Sequence, residues 1–169
     1  MDRIVSNATP LIYLAKASCL DLLKGLYREV FISQEVKREV VERGKKLGKR
    51  DAFIIEKAIN EGWIKVSPAR LINIPLELDP GEMETISLAK NLKIGEVLID
   101  EAKGRIAAKL VGLVPRGTVY ILLESLKNGK MDFVGFLKIL DRLIEEGFRL
   151  REEVYIKVIK NAKHISEGS

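Results

Sequence analysis

Residues 97–110 read VLIDEAKGRIAAKL. Val97, Leu98 and Ile99 are apolar and suit a buried strand, the run stops at Asp100, and a helix is predicted from Glu101 to Leu110. The same strand-then-helix unit recurs on either side. Ile4-Val5-Ser6 is a short strand ending at Asn7, and Pro10 is predicted to open a helix at its first position, with Leu11, Ile12, Leu14 and Ala15 as its apolar face. Val30-Phe31-Ile32 is followed by Ser33, a good N-cap for a helix that carries Val36, Val40 and Val41 inward. Trp63-Ile64-Lys65-Val66 alternates as a strand does, and Leu113-Val114 is a last short one. Helices are predicted over Asp21–Leu26, Asp51–Glu61, Asp79-Pro80-Gly81-Glu82 to near Leu92, Thr118–Leu126 and Phe133–Glu145, with a final one around Val154, Ile156, Val158 and Ile159. Gly44 to Gly48 is expected to break the third helix in a basic loop, and residues 67–78, with Pro68 and Pro75, to form a connection. Strands alternating with helices argue for an α/β fold with a central, mostly parallel sheet flanked by helices. Right-handed crossovers put the carboxyl ends of all such strands on one edge, where ligands bind in this architecture.

Composition narrows the chemistry. With 169 residues, 47% apolar, the chain suits one domain, expected over 1–161 with a polar tail at 162–169. Cys19 is the one cysteine, so a disulfide framework and a cysteine zinc site are excluded; it is expected to be a small core hydrophobe. The one histidine, His164, falls in the expected tail, which excludes a site built on several imidazoles. No basic stretch followed by a long apolar run opens the chain, and no apolar run approaches the ~20 residues that span a bilayer. A soluble, cytoplasmic protein without membrane contact is expected. The net charge of +5 is compatible with a polyanionic partner.

Oxygen-bearing residues collect where the strands should end. Asn7 follows the first strand, and Asp100 and Glu101 follow the fourth. Glu39 lies in the second turn after Val30-Phe31-Ile32, and Glu82 in the first turn of the helix entered from the loop after Trp63. Clustered carboxylates repel one another, and a hard divalent cation such as Mg²⁺ or Mn²⁺ is the natural reason to gather them. Such ions activate water and stabilise an in-line phosphodiester displacement. Each residue also has a structural alternative. Asp79, Pro80 and Glu82 fit the N-cap, N1 and N3 positions of a capping box; Asn7 and Asp100 fit helix caps; Glu39 fits a solvated helix face.

The ordered set of motifs resembles one family. Ser6-Asn7-Ala8-Thr9-Pro10-Leu11-Ile12-Tyr13-Leu14-Ala15-Lys16 is similar to the opening motif of PIN-domain proteins. Asp79-Pro80-Gly81-Glu82-Met83-Glu84-Thr85-Ile86 resembles their glycine-glutamate helix start, and Leu98-Ile99-Asp100-Glu101-Ala102-Lys103-Gly104-Arg105 their acidic motif after the fourth strand. Pro115-Arg116-Gly117-Thr118 resembles the next segment, and Gly147-Phe148-Arg149-Leu150 is similar to an uncharacterised prokaryotic branch. The resemblance implies a Rossmann-like PIN fold and a Mg²⁺- or Mn²⁺-dependent ribonuclease. Such proteins are often the toxin of a VapBC-type toxin–antitoxin pair, with an antitoxin partner, and often homodimers. By position the metal site would be Asn7, Glu39, Glu82, Asp100 and Glu101, with Glu39, Glu82 and Asp100 catalytic and Thr118 a small hydroxyl residue near the site. The family usually has Asp where this chain has Asn7, which keeps an oxygen ligand but removes a charge.

Between residues 37 and 50, Lys37, Arg38, Arg43, Lys45, Lys46, Lys49 and Arg50 stand against Glu39 and Glu42, a local balance equal to the charge of the whole chain. This stretch, with Lys103 and Arg105, is the expected contact for an RNA phosphate backbone, the alternative being a solvated helix and loop. No aromatic ladder interleaves with it, so base stacking is not indicated. The leading expectation is a metal-dependent endoribonuclease. A second is a catalytically weak or inactive module binding RNA or a protein partner, and a remote third is a receiver-like signalling domain. The last lacks an acidic pair at the first strand and a lysine after Leu113-Val114. The apolar helices from Phe133 onward are expected to complete the core rather than form a dimer face.

Overall fold

Five strands, Arg3–Ser6 (β1), Glu29–Ile32 (β2), Ile64–Val66 (β3), Glu96–Leu98 (β4) and Val114–Arg116 (β5), pair side by side in the order β3-β2-β1-β4-β5. Every pairing is parallel, with Ile4 opposite Val30, Val5 opposite Val97 and Val97 opposite Pro115. The computed structural model describes residues 2–168. Proline is tolerated in β5 because that strand is an edge, where a missing N–H interrupts no central ladder. Chain order reverses direction across the sheet at β1, which has β2 on one side and β4 on the other. A crevice therefore opens beyond the carboxyl ends of β1 and β4.

Alternation along the strands divides the core in two. Ile4 and Leu98 join a large cluster with Leu11, Leu14, Leu23, Ile55, Phe136 and Leu140. Val5, Val97 and Ile99 face the other way, onto Ile86, Leu88, Ala89, Ala107 and Ala108. The first face is covered by Ala8–Lys16 (α1), Asp21–Leu26 (α2), the residue 34–46 rod, Arg50–Asn60 (α5), Thr118–Lys127 (α8), Phe133–Glu145 (α9) and Glu152–Glu167 (α10). The second is covered by Pro80–Leu92 (α6) and Ala102–Leu110 (α7). The connection before α6 is tied to it: Ser87 Oγ accepts from Ile72 N at 3.0 Å and Asn91 Oδ1 from Arg70 N at 2.7 Å. This is the Rossmann-like α/β fold that the alternating pattern predicts.

Three expectations are corrected. The helix after β2 does not break at Gly44: Gln34–Lys37 (α3), a π-helical segment Arg38–Arg43 and Gly44–Lys46 (α4) run on as one rod, with helical dihedrals at Arg38 and Gly44. The chain turns at Gly48, whose φ is +66°. Gly44 is a packing point, because a Cβ there would lie 2.7 Å from Ala52 Cβ on α5. Pro10 is the third residue of α1, not the first; the first turn has no intrahelical partners for its N–H groups, so proline is accepted there. The expected tail from 162 continues α10 to Glu167, with Ala162 fully buried and His164 exposed in that helix. The helices from Phe133 on complete the core: Phe136, Leu140 and Leu143 are fully buried.

Alanine favours a helix over glycine by about 1 kcal/mol, yet overpacking a fixed contact costs ~1–3 kcal/mol. Gly44→Ala should therefore lower stability by about 1 kcal/mol net, seen as a reduced urea midpoint with an unchanged m-value.

Candidate metal centre

Four helices begin at the carboxyl edge of the sheet, and each brings an oxygen group there. Asn7 is at the N-cap position of α1, Asp79 at that of α6, Glu101 at that of α7, and Thr118 is the first residue of α8. Asn7 is buried, and its side chain makes no capping hydrogen bond. Its Oδ1 instead faces Gly81: a Cβ on Gly81 would lie 3.3 Å from Asn7 Oδ1, 3.5 Å from Asp79 Oδ1 and 3.6 Å from Glu39 Oε2. Gly81 is thus the floor on which three side chains from separate elements converge. Any larger residue would fill that space.

One carboxylate oxygen from each of Asp79, Glu82 and Glu101 lies within 4.8 Å of the others. Asp79 does cap α6, accepting from Glu82 N at 2.8 Å. The expected capping box is only half made, however, because the Glu82 carboxyl groups with those of Asp79 and Glu101. Glu82 is 4% exposed. Burial first, then the hydrogen bond with Glu101 and the charge of Asp79, push its pKa up to about 8. Glu39 reaches the same place from the π-helical segment; desolvation of its carboxyl and the charge of Asp79 push its pKa up. Single-turn π-bulges are frequent at functional sites.

Asp100 is held apart from that group by Thr118. Thr118 donates from its backbone N to Asp100 Oδ1 at 2.7 Å and from its hydroxyl to Oδ2 at 2.6 Å. Burial raises the Asp100 pKa, against the pull of those two bonds and of the Arg105 guanidinium. Arg105 Nη1 also donates to Ile99 O at 3.0 Å. Gly117 permits this approach, since a Cβ there would lie 3.0 Å from Asp100 Oδ1. Gly104 does the same for α7: a Cβ would meet Ile99 Cγ2 at 2.8 Å and Glu82 Cδ at 3.6 Å.

Residues 3–164 match the family model described as a PIN domain. The chain belongs to the PIN-domain family. No curated protein and no solved structure gives a match. PIN domains have a nuclease-like fold, and the acidic residues of this one form a group able to bind a metal ion. The carboxylate-rich donor set suits a hard divalent cation.

The structure brings Asn7, Glu39, Glu82 and Glu101 together and places Asp100 and Thr118 beside them. Asp79 was legible only as a cap; the clue was that an N-cap side chain must sit at the same helix end as Glu82. The basic segment is less unified. Arg38 and Arg43 both pair with Glu35, and Lys45 Nζ lies 2.9 Å from Glu56. Lys49 and Arg50 line a separate hollow with Lys16, Asp51 and Glu146. Lys37 is half-buried, while Lys46 and, on α7, Lys103 are exposed. No helix among the described residues is long and apolar enough to cross a membrane.

A carboxyl whose pKa is raised on folding binds a proton that the unfolded chain has lost, so stability falls as pH climbs from about 4.5 toward about 8. In EDTA, Glu82→Gln should remove that penalty and raise Tm at pH 8.5 by roughly 2–4 °C per kcal/mol relieved, with a smaller gain at pH 5. Thermal scans of both proteins at both pH values check it.

Proposed function

We infer that the protein is a divalent-metal-dependent endoribonuclease that hydrolyses RNA phosphodiester bonds. The observation that carries this reading is the convergence of Asp79, Glu82 and Glu101 within 4.8 Å at the carboxyl edge of a PIN fold. Asp79, Glu82, Glu101 and Asp100, with Asn7 and Glu39 at the rim, would hold Mg²⁺ or Mn²⁺. The ion, when bound, supplies Lewis-acid activation of water and neutralises charge on the phosphodiester. The chain's own residues orient that site. Thr118 fixes both oxygens of Asp100, so its carboxylate has one rotamer to present. Arg105 keeps a cationic group beside Asp100 without taking a place among the acidic ligands. Asn7 contributes a neutral oxygen where a carboxylate would deepen the repulsion and strengthen the pull on a cation.

The role of a toxin with an antitoxin partner, the homodimer and the cytoplasmic setting extend this reading from the family resemblance. Asn7 supports a second reading, a catalytically weak or inactive module that binds RNA or a protein partner, because it brings a neutral amide where the family usually has a carboxylate.

Purified protein incubated with single-stranded RNA and Mn²⁺ should cleave it, EDTA should stop the reaction, and Asp100→Ala should abolish it. Cleavage that persists equally in Asp100→Ala defeats the nuclease assignment. Calorimetry checks the role of Asn7 separately: Asn7→Asp should tighten Mn²⁺ binding, and equal or weaker affinity removes Asn7 from the ligand set.

A further inference from the structure

An open groove of about 550 Å³ leads away from Asp100 and Glu101, and the acidic site forms only its first wall. Beyond it the lining comes from three distant stretches of chain: Tyr13 on α1, Tyr120 on α8, and the residue 147–150 loop between α9 and α10. That loop is the Gly147-Phe148-Arg149-Leu150 motif, which the acidic chemistry leaves without a role. Its shape is built in. Gly147 takes φ +101° and its carbonyl accepts from the Tyr13 hydroxyl at 3.3 Å. Phe148 then meets Tyr13 edge to face, with ring centroids 5.3 Å apart. On the opposite side the Arg116 guanidinium covers the Tyr120 ring at 4.3 Å. Tyr13, Tyr120 and Phe148 are all half-buried, so each keeps ring surface open. Arg105 lines the floor, and Arg149 is exposed, with no acidic partner among the described residues.

Resting on the ribonuclease reading above, we propose that this groove seats an unpaired nucleotide of single-stranded RNA next to the bond at the acidic edge. Its base lies against the Tyr13–Tyr120–Phe148 wall and its phosphate against Arg149. The volume falls in the range of small-ligand sites. Aromatic faces take any base, whereas a duplex keeps its bases stacked and offers none to the wall. An exposed, unpaired arginine beside that wall supplies the phosphate contact, a role that Arg38, Arg43 and Lys45 have already committed to Glu35 and Glu56. The basic segment itself has no aromatic ladder; the aromatic wall comes from three other stretches of the chain.

The test uses fluorescence anisotropy with a 5′-labelled single-stranded 12-mer RNA from 50 to 200 mM KCl, with Glu82→Gln in every protein to suppress cleavage. Phe148→Leu and Tyr120→Leu should each raise Kd about tenfold without changing the salt slope. Arg149→Ala, at an exposed position where folding is not at stake, should raise Kd and reduce the slope by about one. The same RNA as a duplex should bind all three groove variants as it binds the parent. Unchanged Kd in both aromatic variants, or an unchanged slope in Arg149→Ala, overturns the groove. Mn²⁺-dependent cleavage by the unmodified protein, run alongside, separates the two readings. Cleavage with groove variants that bind normally defeats the groove alone; neither cleavage nor RNA binding by the unmodified protein defeats both.

Discussion

Asp79, Glu82 and Glu101 place oxygens within 4.8 Å of one another, and the repulsion between them is what the surrounding fold must oppose. Part of the opposition is the arrangement of helices. α1, α6, α7 and α8 all begin at this edge, so four positive dipole ends converge where negative charge collects. Topology produces that convergence without further design, because parallel strands with right-handed crossovers start every following helix on the same side. Protonation supplies another part. With Glu82 pushed up to about 8, the metal-free site keeps a proton near neutrality and so carries less charge than the count of acids suggests.

Three glycines set how closely the acids can meet. Gly81 leaves room beneath Asn7, Asp79 and Glu39; Gly104 lets α7 press against Ile99 and Glu82; Gly117 lets Asp100 reach Thr118. None of the three has a positive φ. Their value is space rather than backbone freedom, which explains why turn chemistry alone would not have marked them. The sheet behind them is rigid and buried on both faces, so the glycine contacts fix distances and leave little slack.

The strands and most helices were legible because their signals are local. Val97-Leu98-Ile99 ending at Asp100 needs no distant partner to be recognised, and neither does the Asp79-Pro80 start of α6. The position of Asp100, Glu101, Asn7 and Glu82 at one edge followed from parallel pairing and crossover hand alone. Gly44 was misread because a glycine is a breaker by local rules, and only the approach of Ala52, eight residues on, makes it a helix residue. The dual role of Asp79 was hidden for a related reason. A cap accounts for the residue fully at the level of one helix, and its second contact, with Glu101, crosses to another. Tyr13, Tyr120 and Phe148 were invisible as a group, since more than a hundred residues separate the first from the last.

Charge and aromatic surface are consequently divided in a way the sequence does not display. The run from Lys37 to Arg50 accounts for a charge equal to the net charge of the chain, yet Glu35 and Glu56 already occupy three of its seven cations. A paired surface cation still contributes to the long-range field that draws a polyanion in, but it has less to offer a single phosphate at close range. The exposed Arg149, which has no acidic partner among the described residues, lies instead at the groove that starts at Asp100, where the aromatic rings are. On the proposed ribonuclease reading, encounter and seating would fall to different surfaces. On that reading the neutral amide of Asn7, which shares the space over Gly81 with Asp79 and Glu39, bears mainly on how tightly an ion would be held.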